Sequence, residues 1–232
     1  FVVGILCGIF FLNRGYSLKR TYVMSKCEGF LFPAMQAAFF VLLAAAPSFI
    51  LFSPEGAGPG ALHAPIIISL VAGLIVGAMA QKTRLCMVGG IRDFVLFKDV
   101  KLLSGFVAVS AAALIVNLIL TATGDAAFFK LSMTEQPVAH VDGLWNALGM
   151  LLAGFACTLL GGCPLRQLVL AGEGNTDSAV TVLGLLVGAA FAHNFGLASS
   201  GAGPTPNGKI AVIIGIIVVA AIAVLIATLV LP

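Results

Sequence analysis

The sequence predicts an all-α protein whose helices form a polytopic transmembrane bundle. Of its 232 residues, 60% are hydrophobic and only 9% are charged, whereas soluble globular domains have about 45–50% and about 25%. Mean hydropathy is +1.14. This apolar content exceeds the needs of one soluble core, so most side chains must face lipid or other buried helices. The composition excludes an ordinary soluble enzyme, and a net charge of only +3 gives no indication of a nucleic-acid partner.

Apolar stretches of about 20 residues are long enough to cross a bilayer as helices. We expect spans near 28–52, 62–80, 102–123, 143–160, 178–196 and 210–231, and the apolar residues 1–13 resemble the tail of a seventh. Two further stretches, 85–97 and 163–171, are too short to cross and carry charge. Such segments are typical of re-entrant half-helices that point into a transporter.

Loop charges predict the orientation of the spans. The loops 14–26 and 81–101 are basic, whereas 53–61 and 124–142 are acidic. Because cytoplasmic loops carry an excess of Lys and Arg, we place the two basic loops in the cytoplasm and the acidic loops outside. The prediction is a multi-pass protein of the cell inner membrane, which is the plasma membrane.

An internal similarity predicts an inverted-topology repeat. Four residues recur at a constant offset of 180: Gly4, Leu6, Gly8 and Phe11 match Gly184, Leu186, Gly188 and Phe191. One residue later, Asn13 and Gly15 match Asn194 and Gly196. The loop charges make the two segments run in opposite directions, as inverted repeats do. We therefore expect residues 1–52 to end a first repeat, 62–232 to form the second, and about 120 residues of the first repeat to precede Phe1.

Glycines four residues apart predict close contacts between helices. These pairs are Gly4/Gly8, Gly73/Gly77 and Gly184/Gly188. Small residues at this spacing let the backbones of membrane helices approach each other. We expect each pair to pack against a neighbouring helix.

The stretch from Gly161 to Arg166 is the most informative candidate site. Gly161 and Gly162 allow the backbone to turn, Pro164 suits the first position of a helix, and Cys163 then falls at or beside the N-cap. The helix start would offer unpaired N–H groups to an anion, and Arg166 adds a positive charge. The alternative is a tight re-entrant turn in which Cys163 is only a small apolar residue.

A second cysteine opens the other short segment. Cys86 follows Lys82 and Arg84, and the neighbours Arg92 and Asp93 lie further along the segment. The two preceding charges fit the ordinary cytoplasmic bias, and the Arg92–Asp93 pair is expected to brace the segment. For Cys86 itself, a functional and a structural role remain open.

The remaining cysteines and histidines give weaker indications. Cys7 and Cys157 lie in apolar stretches and are interpreted as inert, and Cys27 lies beside a basic loop. His193 and Asn194 could line a pathway, with a hydrogen bond between helices as the alternative. No Cys-x-x-Cys pair is present and the histidines are scattered, so we predict no metal site and no cofactor.

With these motifs the sequence resembles the YeeE/YedE family of membrane proteins, which is associated with sulfur transport, and is most similar to the YedE-like branch linked to selenium metabolism. The resemblance rests on Thr83–Cys86, Gly89–Asp93, Gly161–Arg166, Ala171–Asp177 and Ala192–Gly196. It implies an inverted-repeat bundle with short inward-pointing helices, whose central cysteines contact a sulfur-containing anion such as thiosulfate. Carried over by position, it points to Cys163 and Cys86, and the family's first-repeat cysteine has no counterpart here.

Three functions remain possible at this level. The first is a non-enzymatic transporter of a sulfur- or selenium-containing anion, with Cys163, Cys86, Arg166, Gly161 and Gly162 as its binding residues and a soluble cytoplasmic acceptor as a possible partner. The second is a membrane redox enzyme in which Cys163 attacks the substrate and Cys86 or Cys157 resolves the intermediate. The third is a membrane anchor for a soluble protein, which explains the charged short segments poorly. We select the transporter.

Overall fold

Ten helices lie within the part of the chain that the structure, a computed structural model, describes: residues 1–18, 25–48, 64–124 and 140–230. They are α1 (Val2–Asn13), α2 (Lys26–Gly29), α3 (Leu31–Ala45), α4 (Ile66–Thr83), α5 (Met87–Phe97), α6 (Lys101–Ala122), α7 (Gly143–Leu159), α8 (Pro164–Gly172), α9 (Thr176–Asn194) and α10 (Pro206–Val230). The end of the predicted span 28–52, the loop 53–61 and most of the loop 124–142 lie outside these residues.

The helices confirm an all-α polytopic membrane protein. In the described residues, six helical segments are long and apolar enough to cross a bilayer: Lys26–Ala45, Ile66–Phe97, Lys101–Ala122, Gly143–Gly172, Thr176–Asn194 and Pro206–Leu229. Two of them combine a long helix with one of the short ones, because α5 follows α4 and α8 follows α7 after only a few residues. The six predicted spans and the two short helices are therefore present.

Two helices, α1 and the short helix α8, each contact several other described helices. The first, α1, contacts α5, α7 and α10, and α8 contacts α3, α4 and α9. At the centre of the first group, Ile5 and Ile9 of α1 form one buried cluster with Cys86 and Val88. Burial of these apolar side chains stabilises the contact between α1 and the start of α5, and so holds this short helix in position.

The contact between α1 and α7 depends on glycine. A Cβ at Gly4 would overlap the carbonyl oxygen of Leu151 and lie 2.8 Å from the backbone nitrogen of Phe155. A Cβ at Gly8 would lie 2.5 Å from Cβ of Thr158. The predicted close approach is confirmed for this pair, because no larger residue fits either position.

The other two glycine pairs do not make such contacts. A Cβ at Gly73, Gly77, Gly184 or Gly188 would meet no atom within 4 Å among the described residues. The expectation of close packing is wrong for these faces in the described part of the chain. No described helix packs closely against these positions of α4 and α9, and the spacing of glycines alone does not reveal which helix faces are in close contact.

The ends of α1 and α9 have the same local structure. Each helix is followed by a glycine in the left-handed conformation, Gly15 (φ 91°) after α1 and Gly196 (φ 63°) after α9. The residue after each glycine donates its N–H to the carbonyl five positions back. These bonds run from Tyr16 to Phe11 at 3.0 Å and from Leu197 to Ala192 at 2.8 Å. This is the Schellman type of helix end, which glycine favours. The matched positions Gly15 and Gly196 thus have the same local structure, and the repeat itself stays a prediction.

Candidate functional site

A cysteine immediately precedes each of the two short helices. Cys86 is the N-cap of α5 and Cys163 is the N-cap of α8, and both have extended backbone conformations. Pro164 occupies the first turn of α8, where its missing N–H removes no helical hydrogen bond. The sequence predicted this arrangement for α8, and the structure gives α5 the same one.

The two helix starts meet at the sulfur of Cys86. That sulfur accepts a hydrogen bond from the N–H of Gly89 in its own helix at 3.2 Å and another from the N–H of Cys163 at 3.4 Å. Cys86 is buried, Cys163 is half-buried, both are free thiols, and the two side chains interact directly. Two residues 77 positions apart in sequence therefore form one cysteine pair.

The predicted glycine turn directs the chain from α7 back into α8. Gly161 has a φ of +82°, which favours glycine strongly. Gly162 is buried, its N–H donates to the carbonyl of Cys157 at 3.1 Å, and a Cβ there would lie 3.4 Å from Cγ of Arg166. Gly161 thus provides the left-handed conformation and Gly162 the space for the first turn of α8.

Arg166 brings a donor without a partner to this helix start. Its Nη1 atom is buried and has no hydrogen-bond partner among the described residues. The sulfur of Cys163 lies close to the backbone N–H of Arg166. Buried polar atoms are nearly always hydrogen-bonded, so an unpaired guanidinium nitrogen is an exception among them. The role of Arg166 in binding an anion stays a prediction.

A cavity of about 1090 Å³ lies beside the glycine turn. Its lining comes from the end of α1 and the residues after it, from α5, α7, α8 and α9, and from the glycine turn, and its polar side chains include Tyr16, Arg92, Gln167 and Ser178. Burial raises the pKa of the Tyr16 phenol above its ordinary value, so at neutral pH its hydroxyl stays a neutral donor. We name this space the vestibule.

The predicted bracing pair lies at the edge of the vestibule. Arg92 Nη2 is 2.8 Å from Asp93 Oδ1, and Nε of the same arginine donates to that oxygen at 2.8 Å. Because both side chains remain partly exposed, this pair contributes little to folding stability. Its guanidinium nevertheless places a positive charge near Cys86.

Sequence reasoning missed the position of Cys157. This residue packs against the same buried cluster as Cys86 and Cys163, although it was interpreted as inert. Its position six residues before Cys163, with the glycine turn between them, was the available signal. Of the other two cysteines, Cys7 packs in a different cluster and Cys27 is exposed on α2.

His193 and Asn194 are not brought to the cysteine pair. Both are exposed at the end of α9, and the Asn194 amide donates to the carbonyl of Ala190 in its own helix at 2.7 Å. Their role as pathway-lining residues stays a prediction. In the described residues, no group of three or more His, Cys, Asp or Glu side chains could hold a metal ion.

Comparison with known proteins identifies the family. The sequence profile of the sulphur transport family matches residues 82–231, which is more than half of the chain. This range contains both short helices and the cysteine pair. The chain belongs to the sulphur transport family. This confirms the predicted sulfur-transport family and agrees with a transporter rather than an enzyme. The selenium branch of the resemblance stays a prediction.

A curated member of similar sequence is the thiosulfate transporter TsuA of Escherichia coli (strain K12). It is 24% identical over 122 residues, which are 53% of this chain and 32% of that relative. The chain therefore spans about a third of the length of this relative. No solved structure matches the chain.

Proposed function

We propose that this sulphur transport family member carries a thiosulfate-like anion across the cell inner membrane through a pathway that passes the Cys86–Cys163 pair. The observation that carries the proposal is the meeting of two helix starts at this pair. A helix start presents unpaired N–H groups and the positive end of its dipole, so two of them together favour a small anion. The curated thiosulfate transporter among its relatives agrees with this chemistry.

The cysteine pair suits both ends of such an anion. Backbone N–H groups and the unpaired nitrogen of Arg166 would bind the charged oxygens, and the thiols of Cys163 and Cys86 would donate weakly to the soft terminal sulfur. Gly161 and Gly162 keep the approach free of side chains. A selenium analogue presents the same charge and a similarly soft end, so it is the second proposed cargo. The binding must be weak enough to allow release.

The vestibule is the route that we propose on one side of the pair; Gly161 and Gln167, which flank Cys163 in sequence, line it. Its walls include Tyr16, which belongs to the basic loop 14–26 that the charge pattern places in the cytoplasm. An anion released from the pair would pass hydroxyl and amide groups before reaching water. A soluble sulfur or selenium acceptor protein at this face is the partner that we propose.

Uptake of labelled thiosulfate tests the proposal. The complete gene product is expressed in cells that lack their own uptake route, and thiosulfate and a selenium analogue are supplied in parallel. We expect Cys163→Ala to lower uptake at least tenfold, because it removes a thiol donor from the pathway. The matched control is Cys27→Ala, since Cys27 is exposed on α2. Equal uptake by the two variants, each shown to be in the membrane, would contradict the role of Cys163.

A redox enzyme is the second candidate function, and the interaction between the Cys86 and Cys163 side chains favours it. In that mechanism Cys163 attacks a sulfur species and Cys86 or Cys157 resolves the adduct. It requires a mixed disulfide that can be trapped and turnover of an electron carrier. Uptake that continues while both thiols stay reduced throughout would exclude it.

A further inference from the structure

Gln167 is a buried polar residue whose only role so far is to line the vestibule. Its side chain is only 4% exposed. Its Nε2 donates to the carbonyl oxygen of Leu160 at 2.9 Å. Leu160 is the C-cap of α7, and carbonyls at a helix end have no partner within the helix. The buried Gln167 amide therefore provides a hydrogen-bond donor to the carbonyl at the point where α7 stops.

The same residue also bonds to the other end of the glycine turn. The backbone N–H of Gln167 donates to the carbonyl of Cys163 at 3.0 Å. One residue thus holds both Leu160 and Cys163, the two residues that flank Gly161 and Gly162. A Cβ at Gly162 would lie 3.5 Å from Nε2 of Gln167, which is an ordinary contact distance, so the amide lies directly against the glycine turn.

The geometry of this turn determines where Cys163 meets Cys86. The bond from the Cys163 N–H to the Cys86 sulfur is 3.4 Å long, and hydrogen bonds weaken steeply when distance or angle changes. We propose that Gln167 is a positioning residue: its side-chain bond to Leu160 fixes the glycine turn and so holds the start of α8 against Cys86 for anion binding. This inference rests on the proposed transport function.

A purely structural role would predict a different result. If Gln167 only satisfied a carbonyl, its loss would lower stability and leave anion affinity unchanged in the folded protein. A positioning role predicts a higher KM in protein that is still folded, because the donors around the anion are misplaced before it binds. Gln167→Met keeps the length of the side chain and removes the donor, and Gln167→Asn keeps an amide that is too short to reach Leu160.

The first measurement is thiosulfate uptake by the complete gene product in proteoliposomes. We expect Gln167→Met and Gln167→Asn to raise KM about 5- to 10-fold, the effect of one lost hydrogen bond, while Vmax changes less than twofold. The matched control is Gln81→Met. Gln81 also donates through Nε2, to Glu173 Oε1 at 3.3 Å, but in an exposed pair between α4 and α8. This control should leave KM unchanged.

The second measurement does not depend on transport. A mild copper–phenanthroline oxidant joins Cys86 to Cys163, and the rate of disulfide formation reports how well the two thiols are aligned. We expect the rate to fall several-fold in both Gln167 variants and to stay unchanged in Gln81→Met. Unchanged rates and unchanged KM in folded protein would overturn the positioning role. Slower cross-linking in a protein whose parent takes up no thiosulfate would overturn the transport function instead.

Discussion

At the scale of single residues, we predict that the shape of the Arg166 guanidinium matters as well as its charge. Its buried Nη1 has no partner among the described residues, and an arginine offers five donors in a planar fork where a lysine offers one compact charge. We expect Arg166→Lys to lower thiosulfate uptake about tenfold, because a charged hydrogen bond to the anion is worth about 1.5 kcal/mol or more. The measurement is the initial rate of uptake at a thiosulfate concentration below KM.

The control for Arg166 is a lysine outside the site. Lys130 is a lysine of the predicted loop 124–142, but it lies outside the described residues. Lys209 is the better choice, since its ammonium lies over the ring of Trp145 at 5.4 Å and takes no part in the vestibule. Lys209→Ala should keep most of the uptake. Equal loss in both variants would argue against an anion site at the start of α8.

The sequence predicted part of the candidate site because some of its physics is local. A cysteine before Pro164, two glycines before the cysteine and an arginine inside the first turn are enough to place an N-cap. The partners of that N-cap are not local. The bond from Cys163 to Cys86 and the packing of Cys157 against the buried cluster that contains Cys86 depend on how α1, α5, α7 and α8 meet, and no short stretch of sequence contains that information.

At the scale of helices, the spans were predictable because an apolar window of about 20 residues has few alternatives to crossing the bilayer. The predicted positions of the helix ends were less accurate. The last helix begins at Pro206 instead of near 210, because a proline is favoured in the first turn while hydropathy excludes polar residues such as Lys209. The predicted span 28–52 begins with a separate short helix, since Ser25 and Glu28 form a capping box.

The contact between α1 and α7 gives a prediction for this scale. Gly4→Leu places a side chain where the Leu151 carbonyl already lies, so we expect the helices to separate and folded protein to be lost. Overpacking of this kind costs about 1–3 kcal/mol or more. Gly73→Leu is the matched control, because a Cβ there meets no described atom within 4 Å. Thermal unfolding in detergent measures the stability of both variants. Equal melting temperatures would contradict the close contact of α1 with α7 at Gly4.

At the scale of the whole molecule, the repeat can be examined through helix ends. The matched residues Gly15 and Gly196 both have left-handed conformations and close the same type of hydrogen-bonded turn. After these turns the next helices begin at Lys26 and Pro206, again at the offset of 180 found in the sequence. A shared local structure does not, however, determine the direction in which α1 and α9 cross the membrane. That direction distinguishes an inverted repeat from a parallel one.

Labelling of introduced cysteines determines that direction. The predicted topology places the end of α1 in the cytoplasm and the end of α9 outside, so Leu18→Cys should react with a membrane-impermeant maleimide only after the cells are opened. Ser200→Cys should react in intact cells. Both positions are exposed, and the native exposed thiol is first removed by Cys27→Ser. Labelling of both cysteines from the same side would reject the inverted repeat, because α1 and α9 would then end at one face of the membrane.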